Sequence, residues 1–559
     1  MSQVVNLLSA FLLGSVCQET LGNVGESAFY KLPYLAIVSI TEQDLMKISR
    51  RWLMAAGIVL LILVVGLGLK LMIDRSRVHD ASWFSKAIIY QVFPRSFRDS
   101  NGDGIGDIQG IIDGLDYIQS LGANTLWLNP VFKTSSNHGY DVADYYTVNP
   151  DFGTNADLIR LIREVHRRGM HILLDYVANH TSNIHPFFLD AYKNLASEYS
   201  DFYIWTNAEH STYEHFGSEL TMPRLNYNNP AVRKYMTEVA TYWLDPNNDG
   251  NLDDGADGYR CDVAGGPPHE FWQQVREAMN AKNPQAVLLG EFWIDRDKIP
   301  DYLNNKEFDA AFDFPTYMAL TALHETNDDG PFAGRQPISF VSDMLRKEKT
   351  LIAPNSYLVR FLNNHDTNRV MSDLGDDMQR ARAAAVWLAT APGPIEMYQG
   401  EEIGMQGSVT DTPQYMLENL RSPLIWYASG TGPGQTTWYR SPKNLPNTDI
   451  SIQEQDGHND SLLTLYRTML ALRQREPALW SGEYDLPWQS KNLYVMRRWS
   501  GNTMFTIAIN FDRDFITWDA PAGMLTGGQN VISMGAYDPN NGKIKFNPGG
   551  YAVYKSPLY

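Results

Sequence analysis

Four short apolar runs in this chain end in or beside an acid: Asp175 in ILLDYVANH, Asp262 in DGYRCDVAGG, Glu291 in VLLGEFW and Asp366 in FLNNHD. One acid after an apolar run is ordinarily a solvated strand end or a helix cap. Four of them, with His180, Arg260 and His365 beside them, are the side chains of acid–base and nucleophilic catalysis. A second constellation is DSNGDGIGD, where Asp99, Asn101, Asp103 and Asp107 alternate around Gly102, Gly104 and Gly106. Hard oxygen donors on a tightly turning loop suit calcium, and Ile105 falls within the same candidate ligand set. The loop begins like an EF-hand but lacks the Glu that would close one.

To act together, the four acids must be carried to one place. The apolar runs at 88–93, 125–128, 171–175, 258–262, 287–291, 310–312, 359–363 and 395–398 read as strands alternating with amphipathic segments. That rhythm predicts a closed (β/α)8 barrel over residues 80–180 and 230–477, with strand-end residues gathered at its C-terminal face. Leu158, Leu161, Ile162 and Val165 fall at i, i+3, i+4 and i+7, one stripe of a helix, and Ile111, Leu115 and Ile118 form another. Residues 181–229 break the rhythm after the third strand and read as a small inserted domain. From 478 to 559 short alternating stretches such as LYVMRRW and MFTIAIN predict a C-terminal antiparallel β-sandwich.

The N-terminal part follows different rules. Residues 52–69, WLMAAGIVLLILVVGLGL, carry no charge and follow Lys47, Arg50 and Arg51. This predicts an N-terminal transmembrane helix, an uncleaved signal anchor over 52–73 behind a segment 1–51. Lys70, Arg75 and Arg77 beyond the run nearly balance the basic residues before it, so charge alone does not orient the helix. Secretion after signal cleavage is the alternative, because MKISRRW resembles a basic leader start. The net charge of -18 argues against a nucleic-acid partner, which needs a concentrated basic face. With Cys17 and Cys261 alone, the chain has no disulfide framework. An aromatic content of 12% would suit sugar faces, although composition alone favours core packing.

The four strand-end segments, in order, resemble the four signature regions of the α-amylase family, family thirteen of the glycoside hydrolases, over roughly residues 83–559. The resemblance implies retaining hydrolysis of α-1,4-glucosidic bonds in an α-glucan such as starch or maltodextrin. It gives Asp262 the nucleophile position, Glu291 the general acid/base and Asp366 the third carboxylate. Arg260, His180 and His365 match residues lining the same sugar subsite, Arg369 is grouped with them, and Tyr140 in NHGYDVADYY resembles the aromatic platform beneath the sugar. The same loop as 99–107 is a calcium site in some relatives, implying Ca2+ as cofactor. Retention needs an ionised and a protonated carboxyl roughly 5–5.5 Å apart. Arg260, two residues before Asp262, shares its face of the strand and would keep it ionised, while carboxylates near Glu291 would help it hold its proton.

The segment TMPRLNYNNP resembles the fifth signature region of neopullulanases, cyclomaltodextrinases and intermediate α-amylases, with Arg224 where many members have Asp or Lys. The stretch after Asp262 lacks the Lys-His pair of typical α-amylases. Exo-acting α-glucosidases often have an acid where Asn137 stands. A membrane helix joined to an amylase-like ectodomain also fits a non-catalytic transporter heavy chain, which need not retain the acids found here. The expectation is therefore an α-amylase, with its catalytic domain outside the cell membrane and a cytoplasmic segment 1–51, a placing that rests on the export an enzyme of polymeric glucan needs.

Overall fold

The computed structural model describes residues 79–321, 338–487, 493–521, 524–525, 527–538 and 543–558. In chain order its strands up to residue 398 are β1 (Ile88–Val92), β2 (Thr125–Leu128), β3 (Phe132–Thr134), β4 (Val142–Val148), β5 (His171–Val177), β6 (His215–Phe216), β7 (Glu219–Pro223), β8 (Gly258–Asp262), β9 (Val287–Gly290), β10 (Ala310–Phe312), β11 (Tyr357–Val359) and β12 (Ile395–Tyr398). Eight of them pair in parallel in the order β11-β10-β9-β8-β5-β2-β1-β12. A single parallel bridge from Arg360 to Ile395 joins the two ends, so the sheet is the predicted barrel, closed at one residue.

The period of two along each strand makes two cores. Ile89, Trp127, Leu173, Val287, Leu289, Ala310, Phe312 and Val359 fill the interior, with Phe84 of the short helix Ser82–Lys86 packed against them. The alternate residues, among them Tyr90, Leu126, Ile172, Leu174 and Cys261, meet the helices outside. The predicted stripe Leu158, Leu161, Ile162 and Val165 is the buried face of helix Asn155–Arg167, which Thr154 and Asp157 start with a capping box. Each such side chain contributes roughly 1.5–3 kcal/mol by leaving water. Cys261 is a free, buried thiol.

Four strands differ from expectation. β1 stops at Val92, one residue short of the expected 93. β5 runs on to Val177, placing Asp175 inside the strand, and β9 ends one residue before Glu291. The seventh strand is Tyr357–Val359 and not 359–363. Beyond Arg360 the Asn side chains replace the ladder: Asn363 Oδ1 accepts the Val370 N–H and Asn364 Oδ1 that of Asp366, turning the chain out of the sheet.

After β5 the chain leaves the barrel, forming helix Pro186–Ala191 and the β6–β7 hairpin before helix Pro230–Tyr242 returns to it. At the C-terminal end a five-stranded and a three-stranded antiparallel sheet face each other. Leu493, Val495 and Ala552 from one meet Trp518, Ile544 and Phe546 from the other. Among the described residues no helix is long and apolar enough to cross a membrane. The stretch 52–73 lies outside the described residues.

Candidate active site

The interior-facing residue two places beyond each core position emerges at the C-terminal mouth of the barrel. Trp127 is thus followed by Asn129, Leu173 by Asp175, Arg260 by Asp262 and Leu289 by Glu291. The charges meet at Arg260, which is fully buried. Its Nη1 donates to Asp175 Oδ1 at 3.0 Å and to Asp262 Oδ1 at 2.8 Å. Its Nη2 lies 2.7 Å from Glu291 Oε1, an ion pair too oblique for a hydrogen bond. One planar guanidinium thereby holds the two expected catalytic carboxyls side by side. Glu291 is fixed further by Trp293 Nε1 on Oε1 and the Val263 N–H on Oε2, both at 3.0 Å.

Asp366 stands apart from that triad and is the most exposed of the acids. It accepts from Arg421 Nη2 at 2.6 Å and pairs with His365 Nε2 at 3.0 Å. Gln91 Nε2 lies 2.7 Å from His365 Nδ1, which places the ring proton on Nε2, facing Asp366 Oδ2 and, at 2.5 Å, the Tyr140 hydroxyl. Tyr140 also reaches Asp175 Oδ2 at 3.1 Å, and its ring stacks on that of His365. His180 is buried beneath Phe216, its Nε2 without a partner, and burial lowers its pKa to about 3, so it is neutral.

The electrostatics partly reverse expectation. Burial pushes Asp262 well above the usual carboxylate range, and Glu291 and Asp175 add to this against the pull of Arg260. Arg260 therefore does not by itself keep Asp262 ionised. Burial likewise raises Asp175 to about 6 against Arg260. Asp366 goes the other way: burial opposes ionisation, but His365 and Arg421 outweigh it and hold the carboxylate well below its ordinary range. Asp175 and Asp262, sharing one guanidinium, therefore hold protons above the usual carboxylate range.

Arg369 does not join this group. Its Nη1 donates to the Gln399 carbonyl and its guanidinium lies over the Tyr398 ring at 4.2 Å, bracing the end of β12. Arg421 takes the place expected for it, and no periodicity marks that residue, which caps the C-terminus of the short helix Met416–Leu420. Gln91 and Asn129 obey the same strand-end logic as the acids, but they carry no charge to single them out.

The loop 99–107 closes on its own backbone. Asp99 accepts N–H groups from Asn101, Gly102 and Gly104, Asp103 from Ile105, and Asn101 from Asp103. Asp107 accepts from Ser100 and caps helix Ile108–Ser120 through Gly110. The donor types suit calcium. Yet among the described residues no group of three or more His, Cys, Asp or Glu is arranged to hold a metal ion, so the fit is one of chemistry and not of position.

Comparison with known proteins decides the family. Residues 91–482 match the model of the alpha-amylase catalytic domain. The chain belongs to the α-amylase family. It is a glycoside hydrolase, and the non-catalytic ectodomain is set aside. Alpha-amylase 3 of Dictyoglomus thermophilum is 33% identical over 73% of this chain and 81% of its own length. An oligo-1,6-glucosidase of Parageobacillus thermoglucosidasius is 28% identical over 85% of this chain and 99% of its own. Among solved structures, an alpha-amylase from H. orenii superposes with a TM-score of 0.71 at 31% identity, covering 84% of this chain and 99% of that one.

Proposed function

We propose that this chain is a retaining α-amylase that cleaves α-1,4-glucosidic bonds in starch or maltodextrins through a covalent glycosyl-enzyme intermediate. The observation that carries this is the placing of Asp262 and Glu291 on two nitrogens of one guanidinium, with Asp366 ionised on a separate Arg. Side-by-side carboxyls suit a double displacement, whereas inversion needs room for a water between them, roughly 6.5–9.5 Å. Ionised Asp262 attacks the anomeric carbon as Glu291 gives its proton to the leaving oxygen. Glu291 then takes a proton from water, whose oxygen displaces Asp262. Asp366, His365 and His180 hold the sugar hydroxyls, and Tyr140 underlies the ring.

The rival activities are those of a neopullulanase or cyclomaltodextrinase and of an exo-acting α-glucosidase. Against the exo reading, Asn137 stands where exo-acting α-glucosidases often carry an acid, and its Nδ2 donates to Glu418 Oε1 at 3.1 Å. Products from starch, maltodextrin, cyclodextrin and pullulan decide. The amylase reading expects iodine staining of starch to fall well before glucose accumulates. Glucose as sole early product refutes it.

Calcium at loop 99–107 is a second proposal, in which the ion draws Asp99, Asn101, Asp103, Asp107 and the Ile105 carbonyl together and stabilises the fold without entering the chemistry. Since an ion that binds only the folded state stabilises it, chelator should lower Tm by a few degrees, and Asp103→Ala should abolish that response. An identical response in the variant places the ion elsewhere.

The extracytoplasmic, membrane-anchored location is also proposed. It is supported by the apolar stretch 52–69 behind Arg50 and Arg51 and by the inability of polymeric glucan to cross a bilayer. Deleting residues 1–78 removes none of the barrel, whose first strand starts at Ile88, and should give a soluble, active enzyme. Protease added to intact cells should degrade the full-length catalytic domain. Protection until lysis overturns the outward topology.

A further inference from the structure

The turn leaving β8 contains a conformation that its residue disfavours. Val263, directly after Asp262, has φ +44°, and a β-branched side chain there crowds its own backbone. Such strain persists only where the surroundings impose it. Here they do. Gly266 N–H donates to Val263 O at 2.8 Å, and the Ala264 N–H donates to Glu291 O at 3.1 Å. Trp272 Nε1 donates to Ala264 O at 2.9 Å. A Cβ at Gly266 would stand 2.1 Å from Asn179 Oδ1, so the turn has no room to relax in that direction. The outcome is that Val263 N–H points at Glu291 Oε2 from 3.0 Å.

We propose that Val263 is a positioning residue whose strained peptide aims its N–H at Glu291, fixing the rotamer of the acid/base and favouring its ionised form between the two displacements. This rests on Glu291 being the acid/base. A hydrogen bond donated to a carboxylate favours ionisation. The other groups facing Glu291 are Arg260 Nη2 and Trp293 Nε1, with Asp262 and Asp175 sensing its charge. Arg260 is shared among three acids, and Trp293 is half exposed. The Val263 N–H is the backbone donor, and it serves Oε2, the oxygen that neither of them touches. The strain thus sits on the peptide that joins the nucleophile to a side-chain oxygen of the acid/base.

The test removes the N–H alone. Suppression of an amber codon at 263 with the α-hydroxy analogue of valine replaces the amide by an ester, and suppression with valine itself is the rescue control. The alkaline limb of kcat/KM, which reports loss of the acid's proton, should move up by about one pH unit in the ester enzyme, the size expected for a bond to a charged group. The valine control should restore it. Val263→Gly, which keeps the N–H and accepts φ +44° freely, should raise Tm. An unmoved alkaline limb, or a Tm that falls in Val263→Gly, overturns the inference. Glu291→Gln in the same assay separates the two failures: if it stays active, the acid/base assignment is wrong, whereas if it is dead while the ester limb stays put, only the role of Val263 is wrong.

Discussion

Asp262→Asn and Glu291→Gln should each lower kcat on maltodextrin by on the order of 10⁴-fold or more, because each removes one indispensable partner of a two-step displacement. The amide in the first variant is too poor a nucleophile to bond to the anomeric carbon, and that in the second has no acidic proton to give. Folding should not suffer. Burial and neighbouring acids already push Asp262 toward its neutral form, so a neutral isostere relieves repulsion, and Tm should match or exceed that of the wild type. Circular dichroism and a melting curve check that half, and stopped assays on maltoheptaose the other. Wild-type product observed early by NMR should be the α-anomer, since two inversions restore the starting configuration. Near-wild-type turnover in either variant, or early β-product, defeats the assignment.

The acids are legible because barrel geometry converts a linear pattern into a place. A strand with period two fixes which residues face the interior, so Leu173-x-Asp175, Arg260-x-Asp262 and Leu289-x-Glu291 project onto one mouth from their spacing alone. The helix Asn155–Arg167 is equally plain from its stripe. Legibility fades wherever side chains, not the ladder, set the backbone. Asn363 and Asn364 end the seventh strand early by bonding the loop ahead of them. Arg421 reaches Asp366 from the end of a short helix, Met416–Leu420, with too few residues to show a period, so the sequence offers Arg369, nearer along the chain, in its stead. The ionisation of Asp262 departs from expectation for a third reason: a pairwise view counts Arg260 and leaves out the burial and the two other carboxyls that share it.

That sharing makes Arg260 the residue whose loss should cost the fold most. Arg260→Leu leaves Asp175, Asp262 and Glu291 buried with no cation between them, and stranding buried charge typically costs about 3–5 kcal/mol. The cost should depend on pH in a definite direction. Asp175, raised to about 6, and Asp262, raised well above its usual range, bind protons in the folded state that they release when unfolded. Their protonated forms therefore favour folding below the ordinary carboxylate range, and that contribution is lost as pH rises through the raised values. Arg260 limits the loss by favouring the ionised forms. Without it the folded values climb further and the losing window extends upward, so the gap in Tm between wild type and Arg260→Leu should be small near pH 4 and widest near pH 8. Arg260→Lys should recover part of the stability but little activity, because a point charge cannot bridge Asp262 and Glu291 as a planar fork does. If the Tm gap were the same at every pH, Arg260 would be acting through packing alone and not through the ionisation of Asp175 and Asp262.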